Sequence, residues 1–144
     1  MGWREWLALP ELKVPWIKVK VDTGARTSAL NAQDITIFQR DQFDWVRFSL
    51  YPMQQRDAPR VVCEVPVQEY RNVKDSGGNM EKRPVIRTHI DLGSLQSAIN
   101  ITLTDRSTMT FRMLLGRTAI PHDATVLPRR SFLQGGSRHY PPES

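Results

Sequence analysis

One strand that ends in an Asp-Thr-Gly turn constrains the fold of this chain more than any other segment. Apolar residues alternate along residues 17–21, and the run then breaks into Asp22, Thr23 and Gly24. Alternation predicts a half-buried strand, so a carboxylate is presented at a strand end. Gly24 permits a tight turn because it lacks a Cβ, and Thr23 can stiffen the loop by local hydrogen bonding. Many turns contain Asp and Gly, so the triplet alone is weak evidence for a functional site and needs support from a second element.

That second element is the apolar-apolar-Gly stretch Leu114, Leu115 and Gly116, far downstream. In a small β-barrel it can cross behind the Asp-Thr-Gly turn and hold the turn in place. The remaining chain contains many short strands with turn signals between them, and residues 99–104 show the clearest alternation. This pattern predicts a closed or sandwiched all-β domain.

The other elements follow from the same alternation and from the turn residues. Pro66 interrupts one apolar run and predicts an edge strand or a bend. Residues 27–32 are interpreted as a short connection with one helical turn, and residues 116–120 as a short helix. Residues 51–59 are predicted to be a loop. The predicted strands are residues 3–10, 16–22, 34–40, 43–50, 60–67 and 109–115, with Asp41 and Gln42 as the turn of one hairpin.

A long polar hairpin is predicted over residues 68–87. Its two strand-capable arms flank a cluster of turn residues at 75–79, and it buries little apolar surface, so it must project from the body. Asp75-Ser76-Gly77 also fits an Asp-Ser/Thr-Gly pattern. No apolar strand leads into that triplet, and it is interpreted as the hairpin tip.

Length and charge limit the number of domains and the kind of partner. The 144 residues suit one domain, residues 1–133, followed by a flexible tail at 134–144. The net charge of +5 fits an acidic partner, but the basic residues are scattered and form no nucleic-acid-binding patch. We expect binding to neither nucleic acid nor a membrane. The N-terminal residues contain no apolar leader or span, and we expect a cytoplasmic protein.

The chain carries few residues that could hold a metal. Cys63 is the only cysteine and is interpreted as a buried core thiol. The histidines, His89, His122 and His139, lack the spacing of a zinc site. We therefore expect no metal and no cofactor, and the residues give no support for ATP binding.

Several long motifs together resemble one bacterial family. The chain is similar to the RimB-like retropepsin family, whose members are often labelled ATP-dependent zinc proteases. The resemblance implies a small closed β-barrel of the retropepsin (acid protease) type, with a flap at residues 68–87 and one short helix near the C-terminus. Asn31 stands where the family pattern has His. The motifs that carry the resemblance are residues 2–6, 20–30, 83–88 and 109–117.

The resemblance implies an aspartic-type peptidase that hydrolyses peptide bonds by carboxylate general acid–base catalysis. Asp22, Thr23 and Gly24 would form the catalytic loop. Two carboxylates must share one proton in such a mechanism, and one chain supplies one credible loop, so a C2 homodimer is expected. The implied partner is an acidic peptide or a glutamate-extended ribosomal protein.

Four residues are predicted to bind this acidic substrate: Ala25, Arg26, Arg87 and Arg117. Arg26 could bind a substrate carboxylate, lower the pKa of Asp22, or form a salt bridge within the loop. If Arg26 keeps Asp22 paired, the alternative is a non-catalytic acidic-peptide-binding module on the same fold. A third interpretation is a basic adaptor that associates with ribosomes or RNA.

Overall fold

The computed structural model describes residues 2–51, 60–74, 77–93, 95–105, 111–120 and 127–131. Within these residues there are two short 3₁₀ helices, Pro10–Leu12 and Arg117–Ala119, and the other regular elements are β-strands. The predicted loop at 51–59 and the tail at 134–144 lie almost entirely outside the described residues. The strands are β1 (Gly2–Leu9), β2 (Val14–Asp22), β3 (Ser28–Asn31), β4 (Gln33–Arg40), β5 (Phe43–Leu50), β6 (Val61–Pro66), β7 (Glu69–Lys74), β8 (Met80–Leu92), β9 (Leu95–Thr104), β10 (Met113–Gly116) and β11 (Leu127–Ser131).

Six of these strands close into a barrel. The main sheet has the order β11-β1-β2-β10-β3-β9-β8-β7, and β1 also pairs with β8 at Ala8 and Asp91. That second pairing closes the ring β1-β2-β10-β3-β9-β8. Closure removes the open edges that a flat sheet of this length would expose. The predicted all-β fold with a closed barrel is confirmed.

The core is built from the alternating faces of the barrel strands. On β2, Ile17, Val19 and Val21 are all buried, as the alternation predicts. Burial of each such side chain stabilises the fold by about 1.5–3 kcal/mol relative to exposure. The alternation places Lys18 on the opposite face of the strand, yet it is only 4% exposed. Its ammonium group lies 5.5 Å from the ring centroid of Trp6, a cation–π contact that sequence periodicity does not reveal.

A separate three-stranded sheet, β4-β5-β6, packs on the barrel. Asp41 and Gln42 form the turn of its first hairpin, with positive φ values of 54° and 69°. Such left-handed values at both positions are typical of a two-residue type I′ turn. β6 lies at the edge of this sheet and ends at Pro66, as the proline predicts.

The predicted flap is the hairpin of β7 and β8. β7 forms the end of the eight-stranded order and pairs with β8 from Glu69 to Lys74. The Tyr70 hydroxyl donates to Asp44 Oδ2 at 2.7 Å, which ties the hairpin to β5. Desolvation, and then this hydrogen bond, raise the pKa of Tyr70 to about 12. Residues 75 and 76 of the predicted tip lie outside the described residues.

Two segments differ from their prediction. Residues 27–32 do not carry a helical turn, because Ser28–Asn31 form β3 between β9 and β10. Of the strand predicted at 109–115, residues 109 and 110 lie outside the described residues, residues 111 and 112 form no strand, and the strand begins at Met113. No helix among the described residues has the length and apolar character needed to cross a membrane.

Candidate functional site

The Asp-Thr-Gly loop is closed by its own backbone. The Gly24 N–H donates to Asp22 Oδ1 at 3.0 Å, and the Ala25 N–H donates to the Asp22 carbonyl at 3.2 Å. Asp22 itself is half-buried at the end of β2. These two hydrogen bonds hold the Asp22 carboxylate in one place before any ligand binds.

Strand β10 crosses behind this loop. Its residues pair in parallel with β2, so that Gly116 lies opposite Asp22, and in antiparallel with β3. The Gly116 N–H donates to the buried Ser28 Oγ at 3.0 Å. A Cβ at Gly116 would lie 2.5 Å from the carbonyl carbon of Thr27, which explains why glycine occupies this position. The predicted pairing of the two distant elements is confirmed.

The residues after Gly116 clamp the outer end of the loop. The Arg117 N–H donates to the Ala25 carbonyl at 2.8 Å. Thr118 donates twice to the Arg26 carbonyl, from its backbone N–H at 3.2 Å and from Oγ1 at 2.8 Å. The backbone of Arg26 is thereby fixed, while its side chain is exposed.

A cavity of about 390 Å³ opens beside this clamp and contains three arginines, Arg26, Arg71 and Arg87. Arg87 Nη1 donates to Asn100 Oδ1 at 3.0 Å, across the β8–β9 pair. Arg71 Nη2 lies 3.4 Å from Glu69 Oε1. No acidic residue occurs among the described residues that line the cavity. The other lining residues are Thr27, Ser97, Ala98, Ile99, Asn100, Thr118 and Ala119.

The cavity brings together only part of the predicted binding set. Arg26 and Arg87 line it, whereas Ala25 and Arg117 belong to the adjoining loop contacts. Arg71 was missed. A signal for it was available, because the hairpin register places Arg71 opposite Arg83, on the same face of β8 as Arg87. Within the described chain, Arg26 forms no ion pair with Asp22, so the contact required for permanent pairing is not made.

A second, larger cavity of about 740 Å³ is lined in part by other residues of the flap, Tyr70 and Lys82 among them. Its charged lining mixes both signs, because Lys82 and Arg83 lie among acidic side chains. Mixed charge gives weaker selection for anions than the arginine cavity does. The acidic residues that line it are Asp34, Asp44, Glu81 and Asp105.

The described residues contain no group of three His, Cys, Asp or Glu side chains that could hold a metal ion. Cys63 is buried, and its thiol lies 3.7 Å from the Leu12 carbonyl. Desolvation raises the pKa of Cys63 to about 11. The interpretation of Cys63 as a buried core thiol is confirmed.

Comparisons with known proteins place this geometry among relatives. The model of the RimB-like family, described as retropepsin-like aspartic endopeptidase RimB, matches residues 1–137. A solved structure of protein Lpg0085 from Legionella pneumophila, of unknown function, is similar with a TM-score of 0.74 and 28% identity. That similarity covers 92% of this chain and 95% of the other.

Curated relatives carry a different kind of name. A protein of Shewanella halifaxensis named "Probable alpha-L-glutamate ligase" is 44% identical over 94% of this chain and 30% of its own length. Proteins of the same name from Desulfotalea psychrophila and Parasynechococcus marenigrum are 45% and 42% identical, over 83% and 96% of this chain and 26% and 30% of their lengths. The chain thus spans less than a third of these relatives.

The prediction of an aspartic-type peptidase that hydrolyses peptide bonds is therefore wrong, and so is the description as a hydrolase or protease. The relatives are named for glutamate ligation, which forms a bond instead of breaking one. The physical reason is that a barrel and a strand-end carboxylate determine where a chain can bind, not which reaction follows. The roles of Asp22, Thr23 and Gly24 remain predictions.

Proposed function

The chain belongs to the RimB-like family of retropepsin-like proteins, and we propose that it is a binding domain for glutamate-rich polypeptides that serves an α-L-glutamate ligase activity. The single observation that carries this proposal is the cavity with three arginines and no acidic residue among its described lining residues. Guanidinium groups bind carboxylates with paired, charge-assisted hydrogen bonds.

The position of the cavity supports peptide binding. It lies between the clamped loop after Asp22 and the flap, with Arg26 contributed by one side and Arg71 by the other. A polypeptide that enters between the two elements meets guanidinium groups from both. The net charge of +5 also favours the approach of an acidic chain, because opposite net charges attract the two partners.

The names of the relatives support glutamate as the acidic residue. A protein that adds glutamate must hold an acceptor chain that becomes more acidic with each addition. Because the chain aligns with only 26–30% of the length of these relatives, we assign the barrel the binding of the acidic chain and not the bond-forming step. The glutamate-extended ribosomal protein, the homodimer and the cytoplasmic location remain predictions.

The proposal is tested by fluorescence anisotropy with a labelled hexaglutamate peptide, and with hexaglutamine as the neutral comparison. The protein should bind hexaglutamate in preference, and added salt should weaken binding because exposed charges are screened. The Arg87→Ala variant should bind about 10-fold more weakly, since a hydrogen bond to a charged group contributes roughly 1.5–3 kcal/mol and partial exposure reduces that value.

Arg47→Ala is the matched control. Arg47 is exposed on β5, outside the lining of the arginine cavity, and its loss lowers the net charge by the same amount. Its affinity for hexaglutamate should equal that of the parent. Equal losses in Arg87→Ala and Arg47→Ala would attribute binding to net charge alone and refute the proposed site.

A further inference from the structure

We propose that the arginine cavity, lined by Arg26, Arg71 and Arg87, binds the C-terminal residue of a glutamate chain and takes both of its carboxylates. This inference rests on the proposed function and names the part of the acidic polypeptide that the site recognises. A C-terminal glutamate carries a side-chain carboxylate and a free α-carboxylate on one residue, whereas an internal glutamate carries one carboxylate.

The charge of the cavity matches two carboxylates. Three guanidinium groups line it. One acidic residue, Glu69, lies within ion-pair distance of Arg71, and both side chains are more than a third exposed. Arg87 is bonded to the neutral amide of Asn100. Two positive charges therefore have no charged partner among these contacts, and a ligand with two negative charges compensates them.

The size of the cavity favours a chain end over a stretch of chain. Its volume of about 390 Å³ is near the lower end of the range of about 300–1,000 Å³ for small-ligand sites. In an extended peptide, successive side chains point to opposite sides. Same-side carboxylates of an internal segment are therefore separated by about 6–7 Å along the chain. A terminal residue delivers both carboxylates together, and so can use all three arginines at once.

One guanidinium group and the backbone that carries another are held in place before the ligand arrives. The Asn100 amide oxygen accepts one N–H of Arg87 at 3.0 Å, which orients the guanidinium and leaves its remaining N–H groups for a ligand. Thr118 fixes the Arg26 backbone through two hydrogen bonds. Preorganised donors reduce the entropy lost on binding. Ala98, two residues before Asn100 on the same strand, adds an apolar lining residue that suits the methylene groups of a glutamate side chain.

The test compares tetraglutamate with a free C-terminus against three single changes, by isothermal titration calorimetry. The first change amidates the C-terminus, the second replaces the terminal glutamate by glutamine, and the third replaces the penultimate glutamate by glutamine. Each peptide loses one negative charge, so a site that reads only net charge treats them alike. We expect each terminal change to weaken binding about 10-fold or more, and the penultimate change less than about 3-fold.

The same series on Arg87→Ala and Arg47→Ala assigns the selectivity to the cavity. Arg87→Ala should bind the free and amidated peptides with similar affinity, and Arg47→Ala should keep the full preference of the parent. If Arg87→Ala fails to fold, Arg87→Gln replaces it, and the series on the parent protein still decides the outcome. Equal weakening by all three changes would overturn end recognition and leave the proposed function intact. Binding of none of the peptides would overturn both.

Discussion

Replacement of Gly116 by alanine should destabilise the packing of β10 behind the loop that carries Asp22. A Cβ at this position would lie 2.5 Å from both the carbonyl carbon and the oxygen of Thr27, where ordinary contact begins at 3.4 Å. The contacted atoms are backbone and cannot rotate away, so β10 and the segment before β3 must separate by about 1 Å. Overpacking of this kind typically costs about 1–3 kcal/mol.

Separation of β10 from the segment before β3 would also break a buried hydrogen bond. The Gly116 N–H donates to Ser28 Oγ at 3.0 Å, and Ser28 is 1% exposed. A buried donor left without a partner lowers the stability by about a further 1–3 kcal/mol. Together the two effects lower the free energy of unfolding by about 2–6 kcal/mol, a large part of the roughly 5–15 kcal/mol typical of a domain.

Urea denaturation measures this change, with Gly24→Ala as the matched control. A Cβ at Gly24 would lie 3.3 Å from Asp22 Oδ1, the end of a side chain that can shift by a few tenths of an ångström. Gly24→Ala should therefore cost less than about 1 kcal/mol. A Gly116→Ala variant whose stability stays within about 1 kcal/mol of the parent would refute the steric argument.

Two further predictions concern groups with shifted pKa values. The hydrogen bond from the His89 side chain, and then that from its backbone N–H, lower the pKa of Glu11 from 4.5. The stability contributed by Glu11 is therefore present above pH 4.5 and is lost as the pH falls through the lower pKa of the folded state. The difference in unfolding free energy between the parent and Glu11→Gln should therefore shrink in urea titrations as the pH falls below 4.5, and a constant difference would contradict this. Because the pKa of Tyr70 is raised to about 12, its folded-state contribution is present below pH 10 and lost as pH rises through the folded value. An ultraviolet titration of the Tyr70→Phe variant should accordingly show every tyrosine transition of the parent except the one at highest pH. Loss of a transition near pH 10 instead would show that the raised pKa does not belong to Tyr70.

The arginine cavity illustrates how far the sequence leads toward the candidate site. Arg26 was found because it lies two residues after Gly24, and Arg87 because it is a cationic residue near the end of a motif. Arg71 required the register of the hairpin, which puts it on the face of β8 that carries Arg87. The reaction could not be predicted, since the same loop and barrel suit binding with or without bond cleavage.

The strands with a period of two and the Asp41-Gln42 turn were predictable from the residues alone, because side-chain alternation and turn chemistry act within a few residues. The pairing of the Asp-Thr-Gly loop with Leu114-Leu115-Gly116 joins distant segments, and it was predicted from the two motifs and not from a local rule. By contrast, packing between distant segments determines that Ser28–Asn31 form a strand and that Lys18 is buried. β3 is four residues long and is held by β9 and β10, which are distant in the chain. Lys18 is buried by contacts with other strands, such as its contact with the Trp6 ring. Such features depend on which distant segments pack together, and a local pattern carries no record of that.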